Sequence, residues 1–260
     1  MVGLVTSYNL MTANASRTMN QIASQPQAAR DIAYFKANIG NIKSVDDFMN
    51  NTKIYNFVMQ AYGLSDMTYA KAFIKKALTE GVDSSDAFAV KLSDPRFKAL
   101  VTAFNFARNG ASTTSDTTLQ QTTVDKYLEN QLETQAGQQS EGLRLALYFK
   151  ANIGSVSTNY GILADKAIYE VVRTTLGLPA AMSSVDIDKQ ASIIGQKFKL
   201  TDMQDPTKLD SFVKRFLAMY DMQNNTSAQS NPAVQIISGS TTGIDMNTIL
   251  SLQSIKRFGS

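Results

Sequence analysis

Any chemistry in this chain must come from carboxylates, lysines, arginines, tyrosines, serines or threonines. It has no cysteine and no histidine among its 260 residues. That removes the Cys nucleophile, the His general base and the nitrogen and sulfur ligands of transition-metal sites. Acidic pairs close in sequence include Asp46–Asp47, Asp83 with Asp86, and Asp186 with Asp188. Each sits where a helix should begin, and capping of free backbone N–H groups accounts for carboxylates there. An enzyme would show itself as Asp46, Asp47 and Lys75 converging in a cleft. Ser211-Phe-Val-Lys214 has the Ser-x-x-Lys spacing that sets an amine one helical turn from a hydroxyl, but the companion Ser-x-Asn and Lys-Thr-Gly elements are missing. No P-loop and no dinucleotide-binding glycine pattern occurs. The expectation is that the chain is not an enzyme. It should have no catalytic, cofactor-binding or metal-binding residues, no cofactor and no small-molecule substrate.

Tyr34-Phe-Lys-Ala-Asn-Ile-Gly40 recurs letter for letter at Tyr148–Gly154. The register continues through Ile54-Tyr55 and Ile168-Tyr169, Val58 and Val172, and Gly63-Leu64 and Gly177-Leu178. After a short slip, Phe97, Leu100, Val101 and Phe104 align with Leu209, Phe212, Val213 and Phe216, and Asp94-Pro95 has a counterpart in Asp205-Pro206. The chain thus reads as two divergent copies of one unit of about 75–80 residues. Tyr34, Lys36 and Asn38 with Tyr148, Lys150 and Asn152 could form two matching ligand surfaces. Packing of Phe35, Ile39, Phe149 and Ile153 explains the repeat without a ligand.

The elements are helical. Gly40 and Gly154 suit left-handed caps. Ser44 starts a helix that continues through Phe48, Ile54, Tyr55, Val58 and Tyr62 to Gly63. Met67 to Leu78 is a third helix, and Asp94-Pro95 and Asp205-Pro206 open further ones. Val234 to Ser238 is the one weak strand candidate. The expected class is all-α, with amphipathic helices at both ends. The expected division is an N-terminal helix at 1–27, copy one at 28–108 and a polar linker at 109–123. Copy two with its leading helix follows at 124–222, then a flexible polar loop at 223–243 and a C-terminal helix at 244–260.

Val5, Tyr8, Thr12, Ala15, Met19 and Ile22 alternate steps of three and four, the spacing of a coiled-coil seam. Ile249 and Leu250 lie on the corresponding C-terminal stripe. Two readings follow: the end helices pack on the chain's own body, or they bind a protein partner, in which case Val5, Tyr8, Met19, Ile22, Ile249 and Leu250 are the expected contact residues.

Net charge is +3 and charged residues make up 18%. The basic residues lie at helical spacing among acids, which argues against nucleic acid as a partner. No apolar window reaches the length of a membrane span and no secretory leader is visible. The expected location is the cytoplasm, or the flagellum after export without a cleaved signal.

At the repeat, the sequence resembles an uncharacterised domain family of alphaproteobacteria. Members carry Tyr-Phe-x-x-Asn-Ile-Gly, here Tyr34–Gly40. An Asp-Asp-Phe helix start (Val45–Phe48), Tyr-Gly-Leu (Tyr62–Leu64), and an Asp-Met-x-Tyr-Ala-Lys-Ala-Phe helix (Asp66–Phe73) follow. Leu-Ser-Asp-Pro-Arg-Phe (Leu92–Phe97) and Phe-Asn-Phe-Ala (Phe104–Ala107) complete the pattern. Copy two departs at Gly161, where copy one has Asp47, and by an insertion at Met203–Asp205. The resemblance implies genes often set among flagellar ones, with no established activity and no site residues to carry over. Lack of Cys and abundance of Asn, Gln, Ser and Thr point the same way. The leading expectation is a non-catalytic flagellum-associated structural or assembly protein acting through protein–protein contacts. The alternative is a cytoplasmic adaptor or export chaperone for flagellar subunits.

Overall fold

The computed structural model describes residues 3–224, and among them there are helices and loops but no strand. Internal contacts divide the chain after Met219. Of the second unit only 220–224, the last residues of the final helix, are described. The α-helices are α1 (Leu4–Ala13), α2 (Ala15–Ala23), α3 (Pro26–Asn38), α4 (Val45–Asn50) and α5 (Thr52–Ala61). Next come α6 (Lys71–Glu80), α7 (Phe88–Lys91), α8 (Pro95–Ala103), α9 (Phe106–Asn109) and α10 (Thr117–Gln139). The last are α11 (Glu141–Asn152), α12 (Asn159–Ala164), α13 (Lys166–Thr175), α14 (Ile187–Lys197) and α15 (Pro206–Asn224).

Caps placed most of these starts. Ser44 Oγ accepts from the Asp47 backbone N–H at 3.0 Å, and Asp94 and Asp205 accept from the first turns of α8 and α15. Helix ends follow a different rule from the expected one. Gly40 and Gly154 are not left-handed; each sits in a 3-10 turn that extends its helix. The positive-φ glycines are Gly63 (φ 68°), Gly81 (φ 72°), Gly110 (φ 52°) and Gly177 (φ 65°), and two of them, Gly63 and Gly177, close α5 and α13 alike. The following N–H, of Leu64 or Leu178, reaches back to the carbonyl of Met59 or Arg173, which satisfies otherwise orphaned carbonyls.

The helix expected from Ser44 to Gly63 is broken at Asn51. Its side chain caps α5 through the Ile54 N–H, which makes α4 and α5 separate helices. The third helix starts later than expected, at Lys71, after a 3-10 turn at Ser65–Met67.

The 109–123 stretch is not a free linker. Thr113, Thr114 and Thr123 are buried, and α10 starts at Thr117 with Asp116 as its cap. The hydroxyl of Thr114 donates to the Ile42 carbonyl at 2.6 Å, and that of Thr123 to the Leu119 carbonyl at 2.8 Å. Threonines can be buried this way because their polar atom finds a backbone partner, so little desolvation is left uncompensated.

α10 is the central helix and packs on α11, α5 and α2. Phe57 stacks between Phe35 (4.5 Å between centroids) and Tyr127 (4.3 Å), tying α5 to α3 and α10. A second cluster gathers Phe48 with Tyr55, Phe104 and Phe106. A third stacks Phe149 on Phe212, with Phe198 beside it.

The expected N-terminal seam is interrupted. Asn14 leaves helical geometry (φ −111°, ψ 17°), and its side chain donates to the Leu10 carbonyl, so α1 and α2 are distinct. Tyr8 and Ile22 are buried within this chain. The Tyr8 hydroxyl donates to Asp210 at 3.4 Å, and Lys150 lies over its ring. Val5 and Met19 are partly exposed. Ile249, Leu250, the strand candidate at 234–238 and the C-terminal helix at 244–260 lie outside the described residues. So does the expected loop at 223–243, except for 223–224, which close α15.

Gly81, which ends α6, combines a positive φ with a crowded Cβ position. It sits at φ 72° and ψ −153°, and a Cβ there would come within 2.9 Å of Ala107 Cβ and 3.1 Å of Asn105 Oδ1. Gly81→Ala is expected to cost about 2–3 kcal/mol, combining backbone strain with the clash. Urea unfolding followed by circular dichroism would test this, and a loss below about 0.5 kcal/mol would contradict it.

Candidate functional site

A charged cleft lies where α10 meets the end of α5, the start of α8 and the helices α11 and α13. Its polar lining includes Arg96, Lys126, Glu129, Glu133, Tyr148 and Asp165. Asp165 is buried and caps α13, accepting from the N–H groups of Ala167 (2.9 Å) and Ile168 (3.1 Å) on one carboxylate oxygen. Its other oxygen accepts the Tyr148 hydroxyl at 2.7 Å, which joins α11 to α13. Burial and the Asp165 charge hold the Tyr148 hydroxyl well above the usual tyrosine range. Tyr34 and Asn51 make the matching contact between α3 and α5, but it is neutral and long at 3.5 Å.

Arg96 is spent on structure. Its guanidinium forks onto Asp94 at 2.7–3.1 Å and also donates to the Gly63 carbonyl. Lys126 stands over the Tyr62 ring, 5.6 Å from the centroid. The Tyr62 hydroxyl is buried without a hydrogen-bond partner and is pushed up to about 12, chiefly by burial. Thr123 lies near enough to ease that shift, but its own proton goes to the Leu119 carbonyl. The room left in the cleft is about 50 Å³, enough for a few waters at most.

Glu133 is the most perturbed acid in the cleft. Burial, followed by the charge of Glu129 one turn away, pushes it up to about 8, with partial relief from Arg144 and Lys126. The folded chain therefore keeps this proton over a range where the unfolded chain has lost it. The stability tied to this proton is whole below the ordinary carboxylate value of 4.5 and is lost as pH rises toward 8. Glu133→Gln should flatten the fall in melting temperature between pH 5 and 8. At pH 8 the variant should be more stable than the parent by about 1–2 kcal/mol. Parallel pH profiles for the two proteins would contradict the assignment.

The residues singled out from sequence fall elsewhere. Asp46 and Lys75 do meet, at 2.6 Å, but as an exposed ion pair, while the Asp47 carboxylate accepts from the Lys43 backbone N–H and the Asp47 N–H donates to Ser44 Oγ. Lys214 pairs with Asp210 at 2.6 Å. Asp83 is bound by Arg108 and Asn105, Asp86 pairs with Lys91 at 2.9 Å, and Asp186 caps α14. In the repeated segment, Asn38 and Asn152 turn back to the carbonyls of Tyr34 and Tyr148 at 2.8 and 2.9 Å. Sequence reading missed Glu129, Glu133 and Asp165. The four-residue step from Glu129 to Glu133 was a visible sign that both lie on one helix face, but nothing local marked Glu133 as half-buried beside an exposed Glu129. Among the described residues no three acidic side chains gather to hold a metal, and no helix is long and apolar enough to cross a membrane.

Residues 61–209 match the family described as Protein of unknown function (DUF1217). The chain belongs to that family. The crystal structure of protein AGR_C_984 from Agrobacterium tumefaciens is similar to it, with 40% identity and a TM-score of 0.79 over 84% of this chain and 93% of that one. No protein of curated function matches. Every residue lining the cleft, from Ala61 to Asp165, falls inside the segment that matches DUF1217. The N-terminal helices α1 to α4 precede that segment.

Proposed function

We propose that this DUF1217 protein is a non-catalytic, flagellum-associated structural or assembly protein that works through protein–protein contacts. The observation that carries this reading is the way the charged cleft is used. Asp165, Tyr148 and Arg96 are committed to joining helices, and the remaining space is of the size of a few water molecules. A substrate site ordinarily offers several hundred cubic ångströms and groups left free to react, which this cleft does not; hollows of that size, about 480 and 590 Å³, lie on the open surface around Tyr34 and Lys53.

The internal repeat belongs to the same proposal. Two divergent copies, α3–α5 and α11–α13, would each carry a helix, a 3-10 turn, a short capped helix and a second helix joined back by a tyrosine. The paired contacts Tyr34–Asn51 and Tyr148–Asp165 and the paired turns at Gly63 and Gly177 support it. The flagellar part rests on the family resemblance, on the absence of Cys and on the abundance of uncharged polar side chains, properties shared with exported axial proteins.

The test is where the untagged chain is found. Antibody detection in cytosolic, secreted and sheared flagellar fractions, with and without the flagellar export apparatus, is expected to place it outside the cell in an export-dependent way. Strictly cytosolic protein in complex with a flagellar subunit would instead favour the adaptor or chaperone reading. Cytosolic protein without such a complex would overturn both.

A further inference from the structure

We propose that Tyr160, Val185 and Ile187, at the start of α14, form a docking surface for a basic, amphipathic segment of a protein partner. This rests on the reading that the chain acts through protein contacts, and it names where one of those contacts is made. Among the described residues five large hydrophobic side chains are exposed, and three of them are these: Tyr160 at 52%, Val185 at 38% and Ile187 at 55%. The other two, Leu10 and Tyr69, stand apart in sequence from each other and from this cluster. Single exposed hydrophobics are ordinary on a protein surface, whereas a held group of them marks an interaction site.

This group is held. The Tyr160 hydroxyl, from α12, donates to Asp188 Oδ1 at 2.8 Å, which fixes its ring beside the first turn of α14. The backbone at Val185 is fixed as well, since its carbonyl accepts from the Gln190 side chain at 2.6 Å. A surface ordered in advance gives up little conformational freedom when a partner binds.

The apolar side chains are not needed to join a short helix to a longer one. α12 packs on α14, and the apolar side chains these two helices bury are Ile162, Ala191 and Ile194. Tyr160, Val185 and Ile187 stay exposed beside them.

The charge around the cluster selects the partner. Asp186 and Asp188 flank Ile187 and exposed Lys189 follows, which leaves a net negative charge at this turn, and neither carboxylate is in an ion pair among the described residues. Asp186 accepts only from the backbone of Asp188 and Lys189, and Asp188 from Tyr160. A segment bearing Lys or Arg beside apolar side chains would neutralise both while covering Ile187. A second copy docking through the same surface would bring four carboxylates together, which opposes that pairing.

The experiment places the photo-crosslinking residue p-benzoylphenylalanine at Ile187 in the full chain in its native cells, with the same residue at Tyr69 as control. The expected adduct forms at Ile187 and not at Tyr69, and its mapped peptide carries apolar side chains beside at least two Lys or Arg. A synthetic copy of that peptide should then bind the purified chain, more weakly as salt is raised. Ile187→Asp should weaken binding by about tenfold or more. Asp186→Asn with Asp188→Asn should weaken it similarly, while the Asn side chains keep the α14 cap and the Tyr160 bond available. The proposal is overturned by no adduct above the Tyr69 control, by an adduct to an acidic or uncharged segment or to a second copy, or by binding indifferent to the Asn pair. Because the readout is the cross-linked segment and not its location, a cytosolic partner would leave the docking surface standing while sinking the flagellar reading.

Discussion

Replacing Asp165 by alanine is expected to remove about 3 kcal/mol of stability, which would make it the largest loss from any one polar substitution proposed for this chain. The carboxylate does two jobs at once. One oxygen caps α13 through the N–H groups of Ala167 and Ile168, and the other accepts the Tyr148 hydroxyl. Loss of a cap typically costs about 1 kcal/mol, and a hydrogen bond to a buried charge adds about 1.5–3 kcal/mol. The substitution would also leave the buried Tyr148 hydroxyl without its acceptor.

Graded variants separate the two jobs. Asp165→Asn keeps a capping oxygen and should lose less than the alanine. Tyr148→Phe removes only the joining bond and should lose about 1–2 kcal/mol. Asn51→Ala, at the long neutral contact in the α3–α5 segment, should lose about 1 kcal/mol, the value of the cap alone. Urea unfolding of the four variants at pH 7 would rank them. Equal losses at Asp165 and Asn51 would mean that the Tyr148 bond contributes nothing.

Phe57→Ala is expected to cost about 4 kcal/mol. The ring is almost fully buried and is stacked on both faces, by Phe35 and by Tyr127. Its removal would leave a cavity at the point where α3, α5 and α10 meet, and two aromatic contacts worth about 0.5–1.5 kcal/mol each would go with it. Phe57→Leu refills much of the volume but not the stack, so about half of that loss should return. The unfolding midpoint of both variants, at an unchanged denaturant slope, is the measurement. A Phe57→Ala loss under about 2 kcal/mol would show that the surrounding helices close over the gap.

The local signals were legible in the sequence. Ser44, Asp94 and Asp205 are caps, and the helices α4, α8 and α15 begin where those residues stand. Gly63 and Gly177 close helices because a left-handed turn needs a residue without a Cβ. The apolar spacing of Phe97, Leu100 and Val101 marked the buried face of α8. In each case the interacting atoms are separated by at most a few residues, so residue type and spacing are enough.

Other features depended on partners far away in sequence. The 109–123 stretch looked like a linker because its residues are polar, but Thr114 finds the carbonyl of Ile42 and so can be buried. The seam spacing at Tyr8 and Ile22 fitted both a partner and the chain's own body, and the chain's own body covers them. Glu133 became a perturbed acid only when packing around α10 took it partly out of water and set Glu129 beside it. Tyr148 and Asp165 are 17 residues apart, and only the folding of α13 back onto α11 brings them to 2.7 Å. The sequence by itself determined the all-helical class and where many helices start and stop, because backbone capping and helical periodicity are short-range. The tertiary structure alone decided which polar groups are buried and paired, because desolvation depends on everything that packs around a group.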